Sequence, residues 1–149
     1  MRRILLLVGI VALAIGPTSR ARSEMQQPFV TDDVMTGQVR IGPGQCKIFE
    51  FEVDPSRMRE ARIVGRFEAA GGGGNDIEVI IAERDEFLNW FSNHGGSIIY
   101  NSGKRTTGTL NVPINSPGAY VVAFSNKFST VSAKAVSGNI VIAYLPTGR

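Results

Sequence analysis

Short stretches in which hydrophobic and polar residues alternate make up most of the chain from about residue 36 onward. In the run 46–53, Phe49 and Phe51 fall on one face, whereas Glu50 and Glu52 fall on the other. A period of two is typical of a β-strand with one buried face. Similar runs, after a weak first strand at 37–41, lie at 62–69, 76–82, 97–101, 107–114, 118–125 and 135–144. The pattern predicts seven or eight short strands.

Turn residues separate these runs at intervals of about ten residues. Gly42-Pro43-Gly44 and Asp54-Pro55-Ser56 end the first two strands, and the four glycines of 71–74 predict a hairpin turn. Many short strands without a long amphipathic helix are typical of all-β proteins. The expected fold is therefore an antiparallel β-sandwich resembling a jelly roll.

The segment 83–94 departs from the alternation and predicts an irregular or one-turn helical excursion between strands. It contains the single tryptophan, Trp90, among other aromatic residues. Exposed aromatic residues on loops between strands often form binding surfaces, so Phe87, Asn89, Trp90 and Phe91 are the candidate binding loop. The alternative interpretation is that these aromatic side chains cap the open end of the sandwich.

The N-terminus has the pattern of a secretory signal peptide. Arg2 and Arg3 precede an uncharged apolar run at 4–15, and small residues follow. A helix of that length spans about 18 Å, which is shorter than the roughly 30 Å of a hydrocarbon core. We therefore expect a signal peptide over 1–23, cleaved after Ala21 or Ser23, and a secreted or periplasmic protein without a transmembrane anchor after cleavage. A flexible tail, or alternatively a loose first strand, is predicted over 24–35, followed by the domain at 36–146.

Removal of the signal peptide changes the charge of the protein. The chain of 149 residues has a formal net charge of +3, but four of its arginines precede residue 23. Cleavage after Ser23 leaves a net charge of −1, and cleavage after Ala21 leaves zero. Nucleic-acid binding proteins carry a basic patch or stripe. The charge of the mature chain therefore argues against a nucleic-acid partner.

Candidate chemistry is sparse. One cysteine and one histidine exclude an intramolecular disulfide and a Cys/His zinc cluster. Cys46 lies on the polar face of its strand and is interpreted as a structural thiol in a monomer, with a Cys46-linked dimer as the alternative; His94 is interpreted as a solvated loop residue. The acidic residues at 32–33 and 83–86 lack the spacing of a calcium-binding loop. We predict no enzymatic activity, no cofactor and no metal.

The stretch 118–129, GAYVVAFSNKFS, followed by Lys134-Ala135-Val136, resembles the signature end of the GOLD (Golgi dynamics) domain family. That family has a Gly-x-Tyr strand, then an aromatic-(Ser/Asp)-Asn-x-(Phe/Tyr)-Ser turn, then Lys-x-Val. We expect Asn126 to close the strand and Phe128 to fold back as a plug. The resemblance covers roughly 36–145, and its structural signature residues are Gly118, Tyr120, Phe124, Asn126, Phe128 and Ser129.

The resemblance implies a β-sandwich interaction module of the kind found in secretory-pathway cargo receptors and beside lipid-transfer domains. The receptors pair a cysteine near Cys46 with one in the penultimate strand, where this chain has Ala123. They also continue into a coiled coil and a transmembrane helix, so this sequence resembles a free-standing exported member. We expect a non-enzymatic module that binds a protein partner in the cell envelope or outside the cell. The alternative is a carbohydrate- or lipid-binding sandwich that uses the aromatic loop.

Overall fold

Eight strands and one short helix make up most of residues 28–148, the part of the chain that this computed structural model describes. The predicted signal peptide and residues 24–27 of the predicted tail lie outside the described residues. The elements are β1 Val30–Ile41, β2 Cys46–Val53, β3 Met58–Ala70, β4 Ile77–Glu83, α1 Arg84–Phe91, β5 Tyr100–Arg105, β6 Thr107–Pro113, β7 Gly118–Ser125 and β8 Lys134–Pro146.

The strands form two antiparallel sheets of four. The first sheet has the order β1-β8-β3-β6, and the second has the order β2-β7-β4-β5. Between β1 and β8, the connection from β4 to β5 stays within one sheet, and every other connection crosses between the sheets. This arrangement is that of a jelly roll. The predicted all-β fold, an antiparallel β-sandwich of jelly-roll type, is confirmed.

The core lies between the two sheets and is formed by the alternating residues that the sequence assigns to one face of each strand. Phe124 on β7 occupies its centre, since its ring packs edge-on against those of Phe49 at 6.0 Å and Phe67 at 6.1 Å between centroids. Further core side chains are Met35, Ile41, Ile63, Ile77, Val79, Ile81, Tyr120, Val122, Val136, Ile140 and Ile142.

The two central strands of the second sheet, β4 and β7, are buried on both faces. Ile80 and Ala82 of β4, with Val121 and Ala123 of β7, point away from the core and are nonetheless buried. Helix α1 covers them, and Phe87 provides the largest buried side chain of this second cluster. The continuous apolar runs in β4 and β7 therefore reflect burial on two sides. Within residues 28–148, no helix has the length and hydrophobicity required to cross a membrane.

Strand β1 begins earlier than the sequence predicts. Residues 30–35 form a strand rather than a flexible tail, since β1 starts at Val30 and pairs with β8 along its length. The pairing register shifts between Asp33 and Met35. Such a bulge breaks the alternation of inward and outward residues, which is why the sequence shows no sustained period of two there.

The run of four glycines is also not a hairpin turn, since it connects β3 in the first sheet to β4 in the second. Gly71 and Gly72 have φ angles of +99° and +70°, and a Cβ atom on Gly72 would lie 2.6 Å from the Cβ of Ser132. The turn therefore needs glycine for its backbone conformation and for its close approach to the chain before β8. Beside it, buried Lys134 forms an ion pair with Asp76 at 3.1 Å, and this hydrogen bond lowers the pKa of the Asp76 carboxyl.

We expect Phe124→Ala to destabilise the protein by about 3–5 kcal/mol, because it removes a fully buried ring and leaves a cavity between the sheets. The free energy of unfolding, measured by urea titration, checks this. Leu88→Ala is the matched control, since Leu88 is half exposed on α1, and it should cost less than about 1 kcal/mol. A loss below about 1 kcal/mol for Phe124→Ala would contradict the packing described here.

Candidate functional site

A single buried carboxamide, that of Asn126, joins the end of β7 to two other segments. Its Nδ2 donates hydrogen bonds to the backbone oxygens of Ser132 at 2.8 Å, Gly42 at 3.0 Å and Ile41 at 3.4 Å. Its own N–H donates to the carbonyl of Gln45 at 2.8 Å. Asn126 does not adopt a positive φ. It therefore closes the strand by bonding the backbone, one of the two ways in which asparagine ends a strand.

Ser129 completes this corner between β7 and β8. Its hydroxyl donates to the backbone oxygen of Ser132 at 3.0 Å and accepts from the N–H of that residue at 3.2 Å. The N–H of Gly44 is shared between the carbonyls of Ser129, at 2.8 Å, and Asn126, at 3.1 Å. The β7–β8 corner and the β1–β2 loop are thus held together as one unit.

Tyr120 and Phe124, two other signature residues, lie in the core as expected. Tyr120 stacks on Phe51 with ring centroids 5.7 Å apart, and its hydroxyl donates to the backbone oxygen of Ser116 at 2.8 Å. Burial raises the pKa of this hydroxyl, and the charge of Glu83 adds to the effect. Gly118 starts the strand with a φ of +146°, where glycine is favoured.

Phe128 differs from the expectation, because it belongs to neither of the two buried clusters. It is half buried, and the ammonium of Lys104 on β5 lies 4.3 Å from the centre of its ring. The corner is sealed by the Asn126 carboxamide, so a plug of the predicted kind is not required. Phe128 instead forms part of the surface.

Helix α1 replaces the irregular or one-turn excursion predicted for this part of the chain. It has eight residues, and Asp85 and Glu86 in its first turn are favourably placed against the positive end of the helix dipole. Glu86 also accepts a hydrogen bond from the N–H of Ser97 at 2.6 Å, which ties the helix to the segment before β5. The helix covers the outer face of the second sheet, so its aromatic residues do not cap an open end of the sandwich.

The four residues of the candidate binding loop occupy different environments on α1. Phe87 is fully buried and stacks against Trp90 and Phe91, with ring centroids 5.8 and 6.0 Å away. Asn89 is exposed, while Trp90 and Phe91 are half buried. Phe87 is therefore a packing residue that anchors the helix, and Trp90 and Phe91 present aromatic surface at its C-terminal end.

Lys127, between the signature residues Asn126 and Phe128, connects the corner to this helix end. Its Nζ donates to the backbone oxygen of Phe91 at 2.6 Å and to Oδ1 of Asn93 at 3.1 Å. The same ammonium lies 4.9 Å from the ring centre of Phe91 and 5.8 Å from that of Trp90. The last turn of α1 contains no basic residue of its own. Lys127 thus supplies the positive charge that stabilises a helix C-terminus.

Beneath the helix end, outward-facing side chains line up across the second sheet. The strand register places Cys46 beside Ser125, Ser125 beside Glu78, and Glu78 beside Lys104. Burial raises the pKa of the Cys46 thiol, while a hydrogen bond with Ser125 and the charge of Lys127 act in the opposite direction. Glu78 accepts a hydrogen bond from the Asn101 side chain at 2.8 Å.

These features surround a groove of about 290 Å³ between the helix end and the β7–β8 corner. We refer to it as the corner groove, and its lining residues are Glu78, Trp90, Asn93, Lys127 and Phe128. A larger depression, of about 610 Å³, lies on the first sheet. Its polar side chains include Arg66 and Glu68, and its aromatic residue, Phe67, is 2% exposed and packs in the core. The corner groove is the candidate site because it presents aromatic surface.

The remaining candidate groups do not join the corner groove. His94 is exposed in the loop after α1, where its N–H bonds the Asn89 carbonyl at 2.9 Å. Asp85 forms an exposed ion pair with Arg84 at 3.5 Å. Across residues 28–148, no three His, Cys, Asp or Glu side chains converge in a way that could hold a metal ion.

Comparison with known proteins decides the family. The model of the emp24/gp25L/p24 family/GOLD matches residues 38–144. The chain belongs to this family. The match confirms the resemblance carried by the 118–129 signature and covers both sheets. GOLD domains of this family are protein-binding modules associated with trafficking and are not enzymes. A comparison with curated protein sequences gives no match.

The sequence alone did not reveal the role of Lys127. It occupies the unspecified position of the Asn-x-aromatic turn, so the GOLD signature predicts nothing for it. The signal that could have indicated it is the C-terminal turn of α1, where aromatic residues occur without any lysine or arginine. A cation from elsewhere in the fold stabilises a helix end of that kind.

We expect Asn126→Ala to destabilise the protein by about 2–3 kcal/mol, because buried backbone oxygens lose their donor. Asn126→Asp should cost more at pH 7, since its carboxylate is buried among carbonyl oxygens. Burial raises the pKa of that carboxyl above its unfolded value of about 3.9. Stability of Asn126→Asp should therefore increase as the pH falls from 7 towards 4, whereas that of Asn126→Ala should follow wild type.

Urea titrations of both variants at several pH values provide the measurement. Two equally stable variants, or an Asn126→Asp protein whose deficit relative to wild type is unchanged by pH, would contradict the hydrogen-bonding role assigned to the carboxamide.

Proposed function

We propose that this GOLD domain is an exported, non-enzymatic module that binds a protein partner through the corner groove. The observation that carries the proposal is the half-buried aromatic surface of Trp90 and Phe128, set around the ammonium of Lys127. Aromatic residues and cations on a well-packed base are typical of the residues that dominate protein interfaces. Family membership supports the same class of function.

The chemistry of the groove supports binding without reaction. Cys46 lies in the same cross-strand row as Glu78, but burial raises the pKa of its thiol, and the thiolate is the reactive form. Lys127 uses its ammonium to hold the end of α1. Glu78 is held by Asn101. The contacts of Lys127 and Glu78 therefore help to fix the shape of the groove.

The exported location rests on the N-terminal sequence. An uncharged apolar run behind Arg2 and Arg3, followed by small residues, is the pattern that signal peptidase recognises. We expect the mature protein to begin at Arg22 or Glu24, as measured by the intact mass of protein recovered outside the cytoplasm. Full-length protein in that fraction would contradict cleavage, and full-length protein confined to the cytoplasm would contradict export.

Site-specific photo-crosslinking tests the binding surface. Benzoylphenylalanine at position 128 replaces a half-buried Phe in the groove. The same replacement of Phe29 is the control, since Phe29 is 48% exposed and lies just before β1, so its crosslinker is at least as accessible. We expect protein adducts from position 128, competed by excess wild-type protein, and none from position 29. Equal adducts from both positions, or no protein adduct from position 128, would overturn the proposal. Adducts with the mass of a glycan or a lipid would favour the carbohydrate- or lipid-binding alternative.

A further inference from the structure

One lysine, Lys127, lines the corner groove, and a second, Lys104, lies beside it against Phe128. Lys127 lies on the rings of Phe91 and Trp90, and Lys104 lies on the ring of Phe128. Both side chains are exposed. An ammonium held over an aromatic ring keeps its charge in a defined place. The groove thus offers fixed positive charge at the edge of apolar surface.

Two acidic residues lie near Lys104, but neither forms an ion pair with it. One is Asp76, whose carboxyl pKa the charge of Lys104 helps to lower, and the other is Glu78, which also lines the groove. Glu78 stands opposite Lys104 in the β4–β5 register, but within residues 28–148 no carboxylate lies within 4.0 Å of the Lys104 ammonium. The Glu78 carboxylate accepts from Asn101 at 2.8 Å instead. Lys127 gives two hydrogen bonds to Phe91 and Asn93, and an ammonium has three N–H donors. Each lysine therefore retains capacity for an incoming acceptor.

The positive charge of the groove is local. Residues 28–148 contain eleven Lys and Arg against twelve Asp and Glu, so the described part of the chain carries a net charge of −1. A general attraction for anions does not follow from that balance. Selectivity for an anionic group therefore has to come from the local arrangement in which Lys104 and Lys127 flank aromatic surface.

We propose that the corner groove recognises an acidic segment of a partner protein, in which a carboxylate side chain lies next to an apolar one. The carboxylate is set against the ammonium groups of Lys104 and Lys127, and the apolar neighbour packs on Phe128 and Trp90. This inference rests on the proposed function, since it names the chemistry of the protein partner. It is the occupant that charge complementarity favours.

An anionic membrane surface fits the groove less well. Sequences that bind acidic lipids carry clusters of roughly four to eight Lys and Arg, whereas one lysine lines the groove and a second lies beside it. Its shape is a concave space of about 290 Å³ bounded by Asn93 and the helix end. A concavity of that size accommodates one or two side chains. A lipid surface is therefore kept as an outcome of the test.

The test is an NMR titration of the protein, read at the indole N–H of Trp90, which is unambiguous because the chain has one tryptophan. The probes are two peptides blocked at both ends, Ala-Glu-Leu-Glu-Ala and its glutamine counterpart Ala-Gln-Leu-Gln-Ala. We expect the acidic peptide to bind about fivefold or more tightly than the amide peptide. Raising NaCl from about 0.05 to 0.5 M should reduce this preference, because salt screens exposed charges.

Variants locate the effect. Lys104→Gln should weaken the acidic peptide about two- to fivefold and leave the amide peptide unchanged. Arg105→Gln is the matched control, because it removes the same charge from the next residue of β5, whose side chain points to the opposite face; it should leave both affinities as in wild type. Neither change touches the hydrogen bonds of Lys127 to α1, so the indole signal remains a valid reporter.

Equal affinity for the two peptides, or equal losses from Lys104→Gln and Arg105→Gln, would overturn the acidic-segment inference. A shift of the Trp90 signal with phosphatidylglycerol vesicles, without one from the acidic peptide, would also overturn it in favour of a membrane surface. If any of these results were found together with protein adducts from position 128, the proposed function would stand and only the acidic-segment inference would be rejected. Absence of those adducts would reject the proposed function itself.

Discussion

The arrangement of this domain depends on the buried carboxamide of Asn126. Three backbone carbonyls converge on its Nδ2, one each from Ile41, Gly42 and Ser132. These carbonyls come from the end of β1, the loop after it and the loop before β8, so one side chain fixes where three segments meet. Its Oδ1 is buried without a hydrogen-bond partner in the described part of the chain. The donor half of the amide therefore carries the interaction, and a hydroxyl or a carboxylate could not replace it.

This corner directly determines the position of the candidate site. The residue after Asn126 is Lys127, which closes the end of α1, and the next is Phe128, which lies under Lys104. Helix α1 is anchored from below by Phe87. The groove is thus bounded by the β7–β8 corner and the end of α1, which the ammonium of Lys127 joins. Gly71 and Gly72 bring the β3–β4 connection against the chain between Asn126 and β8, which supports the corner from its other side.

The sequence predicts the sandwich well because its strands are amphipathic, and the inward residues Phe49, Phe67 and Phe124 are those that the alternation assigns to the core. It fails where a second influence overrides the period of two. The bulge before Met35 interrupts the alternation in the first half of β1. The glycine run predicts a turn, but it does not predict which strands the turn connects. Long-range strand pairing decides whether a turn joins neighbouring strands of one sheet or crosses between sheets. The candidate site is predicted only in part, because Trp90 and Phe91 stand out by composition while Lys127 gains its role from tertiary contact.

The contacts at the end of α1 explain how a binding surface formed by a short stretch of chain can be rigid. Binding costs free energy when flexible side chains become ordered. In the corner groove Lys127 is already held by Phe91 and Asn93, and Trp90 is already packed on Phe87. These two side chains are therefore largely ordered by folding, before any ligand binds, and their contacts with the end of α1 keep them in place. A ligand that accepts the remaining N–H of Lys127 adds to these contacts without breaking them, so the interaction that stabilises the fold also prepares the surface for binding.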